Sequence, residues 1–276
     1  MSTVRPLTAG DLPHLERLVS SDPVTHCFVE SRVEAATRSG RIGPEWWVVG
    51  DAPDFRSALY VGANVIPVES DDAARAEFAR MLLRTGRRGS SIVGPADEVL
   101  DLWARLSSRW GPARDVRARQ PLLSVDHDPL IDPDPLVRAV TMDELDVLLP
   151  ACIAMFTEEV GVSPVAGGGG AAYRARVAEI VREGRAFARI ENDRVVFKAE
   201  VGVATSRACQ VQGVWVSPER RGQGLSEPGM SAVVVHARRV CAPLVSLYVN
   251  DYNDAARRCY EAVGFAQVGT FATVLF

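Results

Sequence analysis

Apolar positions in this chain recur at two spacings, and the switch between them marks the predicted elements. In the second half, Leu145, Leu148, Leu149, Cys152 and Phe156 recur at helical spacing behind Thr141 and Glu144, a capping-box pair. Pro150 should kink or interrupt that helix. Tyr173, Val177, Ile180 and Val181 predict a second helix ending near Gly184. Three β-type runs follow, at 186–190, 195–204 and 208–216, joined by polar turns at 191–194 and 205–207, which is the pattern of an antiparallel meander. Then come a glycine turn at 221–226, a helix to about Val240, a strand at 244–249, a helix at 254–263 and a last strand to Phe276.

The first half opens in the same way. Val4-Arg5-Pro6-Leu7-Thr8 precedes an apolar helical run, as does Val137-Arg138-Ala139-Val140-Thr141, so the halves read as tandem copies of one fold. Strands are predicted at 46–49, 59–68 and 91–93, with Pro67 limiting the second. Helices are marked by Ala74, Phe78, Met81 and Leu82, and by Val99, Leu102, Trp103, Leu106 and Trp110. Alternating strands and helices imply an α/β layer. The alternating Asp and Pro of 126–135 forbid a continuous helix and read as a linker, without the glycine and closing glutamate of a calcium loop.

Composition narrows the function classes. The 276 residues suit about two domains and are 47% hydrophobic, too apolar for a disordered chain. A net charge of −4 offers no basic field for nucleic acid. Of the 31 basic residues only Lys198 is a lysine, a bias that fits a GC-rich genome. Five scattered cysteines without a C-x-x-C pair argue against a disulfide framework or a zinc site, and no metal is expected. No apolar leader or spanning run is read, so a cytoplasmic location is the expectation.

The segment 213–226 runs from an apolar strand through Pro218 into a basic glycine turn and then a helix. Gly222 and Gly224 permit unusual dihedrals, the helix N-terminus adds its positive dipole end, and Arg220 and Arg221 add charge. The expected ligand is a phosphate or pyrophosphate. A P-loop fails for want of its lysine, and a Rossmann turn fails because Glu227 holds its third glycine position.

What remains, Arg221-Gly222-Gln223-Gly224-Leu225-Ser226, resembles the acyl-coenzyme A loop of the GCN5-related N-acetyltransferases (GNAT), with Ser226 in place of the usual Gly or Ala. The stretch 247–265, with Asn250, Asn253, Ala255, Tyr260 and Gly264-Phe265, resembles that family's closing motif. By local physics Asn253 can cap the helix from Asp254, and Gly264 suits a left-handed C-terminal cap. The resemblance covers 137–276. It implies that Asn253 and the turn residues bind the cofactor and that Trp215 and Val216 meet the pantetheine arm between splayed strands. It also implies that Tyr260 protonates the departing thiolate, a role that suits a phenol neutral at pH 7.

The whole chain resembles an actinobacterial subgroup with a divergent domain of the same fold in front. The expected organisation is a divergent GNAT-like domain at 1–125, an Asp/Pro linker at 126–136 and a catalytic domain at 137–276. Each domain is an α/β (α+β) unit with a mixed, mainly antiparallel sheet flanked by helices. The first copy has only the glycine–arginine turn at 86–91 and is expected to bind no cofactor. Acetyl-coenzyme A is the implied cosubstrate, and the acceptor a primary amine on a small molecule or protein, with direct transfer in a ternary complex. Neither nucleic acid nor membrane is an expected partner.

Attack requires a neutral amine, hence a base. Glu158 and Glu159 follow the first helix of the catalytic half, in the connection that by resemblance lines the acceptor site, and Glu200 lies on a strand. Gln210 and Gln212 stand where some relatives carry a catalytic glutamate. Cys259, beside Tyr260, keeps a covalent route open. The glycine run 167–170 reads as a surface connection or flap, and His236 as structural. Two other readings are a non-catalytic acyl-coenzyme A sensor or scaffold and a nucleotide-phosphate binder of another fold.

Overall fold

The computed structural model describes residues 4–43, 45–50 and 55–276. The chain forms two compact units, each discontinuous in sequence: Met1–Leu123 with Tyr248–Asn253 and Gln267–Phe276, and Ser124–Leu247 with Asp254–Ala266. Among the described residues no helix is long and apolar enough to cross a membrane.

The first unit contains β1 (Val4–Pro6), α1 (Leu12–Val19), α2 (Cys27–Ser39), β2 (Trp46–Val49), β3 (Ala58–Val61), β4 (Asn64–Val68), α3 (Asp72–Thr85), β5 (Ser91–Pro95), α4 (Ala96–Trp110) and β6 (Asp115–Val125). Its sheet runs β1-β2-β3-β4-β5, then the C-terminal strand β12 (Ala266–Leu275), then β6. The β4–β5 pair is parallel, and β12 lies antiparallel to β5 with Thr273 opposite Val93. Side chains alternate across the strands. Val65 and Ile92 join Phe78, Leu82, Leu102 and Leu106 of α3 and α4, while Ile66 and Val68 join Leu15, Val19, Val29 and Val33 of α1 and α2.

The single strand expected at 59–68 is a hairpin, because the chain reverses at Gly62 and Ala63, where the Gly62 N–H donates to Asn64 O at 3.0 Å. The glycine–arginine turn at 86–90 leads from α3 into β5, so no helix N-terminus stands over it.

The second unit contains β7 (Arg138–Ala139), α5 (Leu145–Val160), α6 (Gly170–Arg182), β8 (Ala186–Glu191), β9 (Arg194–Ala204), β10 (Ala208–Val216), α7 (Ser226–Val240), β11 (Leu244–Tyr248) and α8 (Asp254–Val263). Its strand order is β11-β10-β9-β8-β7, antiparallel except for the parallel β10–β11 pair. The β8–β9 hairpin turns on Asn192 and Asp193, both with positive φ (49° and 57°), the type I′ geometry that matches strand twist. The capping box forms: Thr141 Oγ1 donates to Glu144 Oε2 at 3.0 Å.

Helix α5 runs unbroken through Pro150, contrary to the expected interruption. The proline lacks the N–H that would bond back to Asp146, on the exposed face of the helix, and burial of Leu145, Leu148, Cys152 and Met155 on the opposite face offsets that loss. Segment 126–136 carries no helix or strand. It is tied down by Leu130 N to Val263 O and Asp134 N to Pro228 O, both 2.9 Å. His236 is packed structurally, its ring stacked on Phe187 at 5.5 Å.

The unit's sheet has helices on both faces. Ala188 and Val195 pack with α5 and α6. Next to Lys198, which faces Cys152 of α5, Phe197 points the other way, toward α7. A Cβ at Gly229 of α7 would stand 2.8 Å from the Phe197 ring, so glycine is what lets helix and strand approach here. Gly229 stands in the first turn of α7, so the contact seats the head of the helix against β9.

Candidate functional site

Strands β10 and β11 pair only from Ala208–Leu244 to Gln210–Ser246. Beyond that point β10 bulges: its register on β9 shifts between Gln212 and Trp215, with Gly213 at φ 61°. The positive φ selects glycine at this bulge, and a Cβ there would crowd Met155 Cε at 3.0 Å and Lys198 Nζ at 3.1 Å. Residues 211–216 thus leave β11 and run into a short turn of helix at Pro218–Arg220.

Gly222 and Gly224 follow with φ of 75° and 71°, and α7 starts at Ser226. Among the described residues nothing accepts from the N–H groups of residues 222–225. Residues 222–224 are exposed and Leu225 is partly so, just ahead of a helix N-terminus, an arrangement that suits an oxyanion.

The arginines of the turn are already engaged. Arg220 Nη1 donates to Glu191 Oε2 at 2.7 Å and Arg220 Nε to Gln223 Oε1 at 3.0 Å, while Gln223 Nε2 reaches Glu219 O at 3.2 Å. Arg221 donates from Nε to Val216 O at 3.1 Å and from Nη2 to Glu158 Oε2 at 2.6 Å. The other oxygen of Glu158 accepts from Trp215 Nε1 at 3.3 Å. Trp215, Val216, Arg221 and Glu158 are therefore gathered in one network.

Glu158 and Glu159 sit in the last turn of α5, within the helix instead of after it. Glu159 is exposed, and its charge, with that of Cys259, adds to the burial that raises the Tyr260 phenol well above the usual tyrosine range. Tyr260 is buried on α8 with its ring 5.9 Å from Phe265. Gly264, at φ 114°, ends α8, and the Phe265 N–H closes back on Tyr260 O at 2.9 Å. The Cys259 thiol contacts Ser226 at the head of α7, and burial pushes it up to about 11, so it holds little thiolate near neutrality. Asn253 belongs to the first unit, where its N–H donates to Asn250 O at 3.0 Å.

One pair escaped the sequence reading. Lys198 is 1% exposed, and its Nζ donates to Glu200 Oε2 at 3.2 Å while Gln212 Nε2 donates to Oε1 at 2.9 Å. Burial alone would lower the ammonium, but the Glu200 carboxylate and the Cys152 side chain outweigh it and hold Lys198 charged. Its signal was the solitary lysine two positions before a glutamate on one strand face. Among the described residues no group of His, Cys, Asp and Glu side chains is placed to hold a metal ion.

Residues 168–265, which hold the turn, α7, α8 and Tyr260, match the family described as Acetyltransferase (GNAT) family. This segment belongs to the GNAT family. Residues 44–148 match a Domain of unknown function (DUF4081). No curated protein matches the chain.

Solved structures are similar in fold along the whole chain. An acetyltransferase of the GNAT family from Colwellia psychrerythraea is 9% identical, covers 99% of each chain and superposes with a TM-score of 0.60. A Drosophila protein is 14% identical over 100% of this chain and 99% of its own, with a TM-score of 0.65. A tandem GNAT protein from the clavulanic acid biosynthesis pathway is 16% identical over 100% of this chain and 98% of its own, at 0.59. The chain has the mixed α/β fold of tandem GNAT proteins.

Proposed function

We propose that the protein is an acyl-coenzyme A dependent N-acyltransferase that transfers acetyl from acetyl-coenzyme A directly to a primary amine in a ternary complex. The observation that carries this reading is the parting of β10 from β11 just ahead of a two-glycine turn whose N–H groups are free at the head of α7. The residues present suit the cofactor: residues 222–226 offer backbone donors for a pyrophosphate, Arg220 and Arg221 offer charge at their edge, and the unpaired part of β10 at Trp215 and Val216 offers main-chain groups for pantetheine amides. When bound, acyl-coenzyme A supplies the activated thioester.

The chain's own groups would then move protons. Tyr260 stays neutral because burial disfavours the phenolate, so its hydroxyl is a proton donor for the leaving sulfur. Glu159, exposed at the end of α5 and electrostatically coupled to Tyr260, is assigned as the base for the amine, directly or through water. Glu158, whose two oxygens already accept from Arg221 and Trp215, is the weaker choice for that role. The buried Cys259 does not serve as nucleophile.

Titration calorimetry of the full chain with acetyl-coenzyme A, beside Gly224→Glu, tests the cofactor half of this reading. Binding that the substitution abolishes is expected, and binding untouched by it would place the cofactor elsewhere. Thiol release over a panel of primary amines (an arylalkylamine, a polyamine, an amino acid and a peptide N-terminus) tests turnover.

A further inference from the structure

The register that sets Ala208 beside Leu244 sets Cys209 beside Val245. Cys241 ends α7 and leads through Ala242 and Pro243 directly into Leu244, so the chain returns Cys241 to the start of β10. There the Cys241 side chain is in hydrogen-bond contact with that of Cys209, and neither is in a disulfide. Cys209 is fully buried and Cys241 is partly exposed, so of the two residues Cys241 is the one that solvent reaches.

A cation stands beside both. Arg185 precedes β8, and its carbonyl accepts from Val201 N–H at 2.8 Å, with Val201 in turn opposite Val211 on β10. Its guanidinium interacts electrostatically with Cys241 and Cys209. Contact with Cys209, then the charge of Arg185, draw the Cys241 thiol below its ordinary range in spite of burial. Three other thiols go the opposite way: burial raises Cys152 and pushes Cys259 up to about 11 and Cys27 up to about 12.

We propose that Cys241 and Cys209 are a reversible dithiol site, in which a hydroperoxide oxidises Cys241 and Cys209 closes a disulfide onto it. The Cys241 thiolate attacks the peroxide; an S–O bond forms, the O–O bond breaks, and the leaving oxygen departs protonated, the peroxide having taken two electrons. The Cys209 sulfur attacks the sulfenic sulfur; an S–S bond forms, the S–O bond breaks, and hydroxide leaves with the Cys209 proton as water. A reducing thiol reverses the step. The crosslink ties the start of β10 to the end of α7, and the chain it closes contains the 221–226 turn. The inference is independent of acyl transfer.

The test treats the full-length protein with hydrogen peroxide, alkylates the remaining thiols and maps peptides by mass. Three of the five thiols should remain. The intact protein should be lighter by two hydrogens, one linked peptide should join Cys209 to Cys241, and dithiothreitol should reverse the change. The oxidised protein should melt about 5 °C higher. Cys241→Ser should form no disulfide under the same treatment, and Cys209→Ala should leave Cys241 as a sulfenic acid that dimedone traps. Retention of all five thiols overturns the proposal, as does Cys241 sulfinic acid without a 209–241 link, or a link to another cysteine. If Cys209→Ala does not fold, the peptide map of the unsubstituted protein decides alone.

Discussion

Arg221 and Glu158 meet at 2.6 Å, joining the two-glycine turn to the end of α5. Both side chains are about half exposed (50% and 45%), so solvent screens the pair and it is worth less than about 1 kcal/mol. Glu158→Gln frees Arg221 for an anion and should tighten acetyl-coenzyme A by about threefold at low salt, an advantage that fades as salt is added. Calorimetry at two ionic strengths checks this. Weaker binding in the variant would mean that the carboxylate holds the turn in its binding geometry instead of competing for its arginine.

Tyr260→Phe removes one oxygen from a buried ring and leaves its packing on Phe265 in place. Turnover should fall by about 100-fold with little change in acetyl-coenzyme A affinity, the signature of a group that acts only as the thiolate leaves. Because the phenol titrates above the usual tyrosine range of about 10, the pH profile of the unsubstituted protein should show no basic limb from Tyr260 below that pH. Equal rates for the two proteins would remove Tyr260 from the chemistry.

Features that constrain the backbone left marks in the sequence, and features made by distant side chains did not. Gly222, Gly224 and Gly264 were readable because turns and caps with positive φ select glycine. The Thr141–Glu144 box and the Asn192-Asp193 hairpin were readable for similar local reasons. The sequence pattern does not mark helix α2 or strand β6, and it marks β12 as a strand without marking it as the partner of β5, since alternation fixes which face is buried and not which strand lies alongside. The Arg221–Glu158 pair joins residues 63 positions apart, which no local pattern encodes.

Acid should expose the capping box. Arg138, first by its hydrogen bonds, and then Thr141 hold Glu144 down to about 2 against the opposing effect of burial. Its folded value lies below the ordinary glutamate value of about 4.3, so its contribution to stability is present above that pH and is lost as pH falls through about 2. Melting temperature followed from pH 6 to pH 2 should drop less steeply in Glu144→Gln than in the unsubstituted protein. Parallel curves would mean that the pair persists in the unfolded chain.

Gly229→Ala drives a methyl group into the Phe197 ring at 2.8 Å, a contact that cannot be kept without moving α7 off β9. The overpacking should cost about 1–3 kcal/mol in urea unfolding. Phe197→Leu, which costs some stability by itself, should suppress most of the Gly229→Ala effect, because the two residues share one space. Additive losses in the double variant would show that the methyl group is accommodated by a different shift.

The buried Lys198–Glu200 pair makes the sharpest prediction, because the lost partner and the lost charge have opposite consequences. Lys198→Met leaves the Glu200 carboxylate, only 9% exposed, with Gln212 as its remaining donor in this cluster and should cost about 3–5 kcal/mol. Lys198→Met with Glu200→Gln removes both charges while keeping volume and the amide-compatible neighbour Gln212, and should recover most of that loss. Urea unfolding of the two single variants and the double variant at pH 7 gives the coupling directly. Since the chain has no other lysine, one labelled side-chain resonance reports the ammonium, and in Glu200→Gln it should titrate at lower pH once burial is no longer opposed by the carboxylate. A resonance whose titration is the same with and without Glu200 would show that the carboxylate does not hold the charge, and the stability of the double variant would then have to come from packing alone.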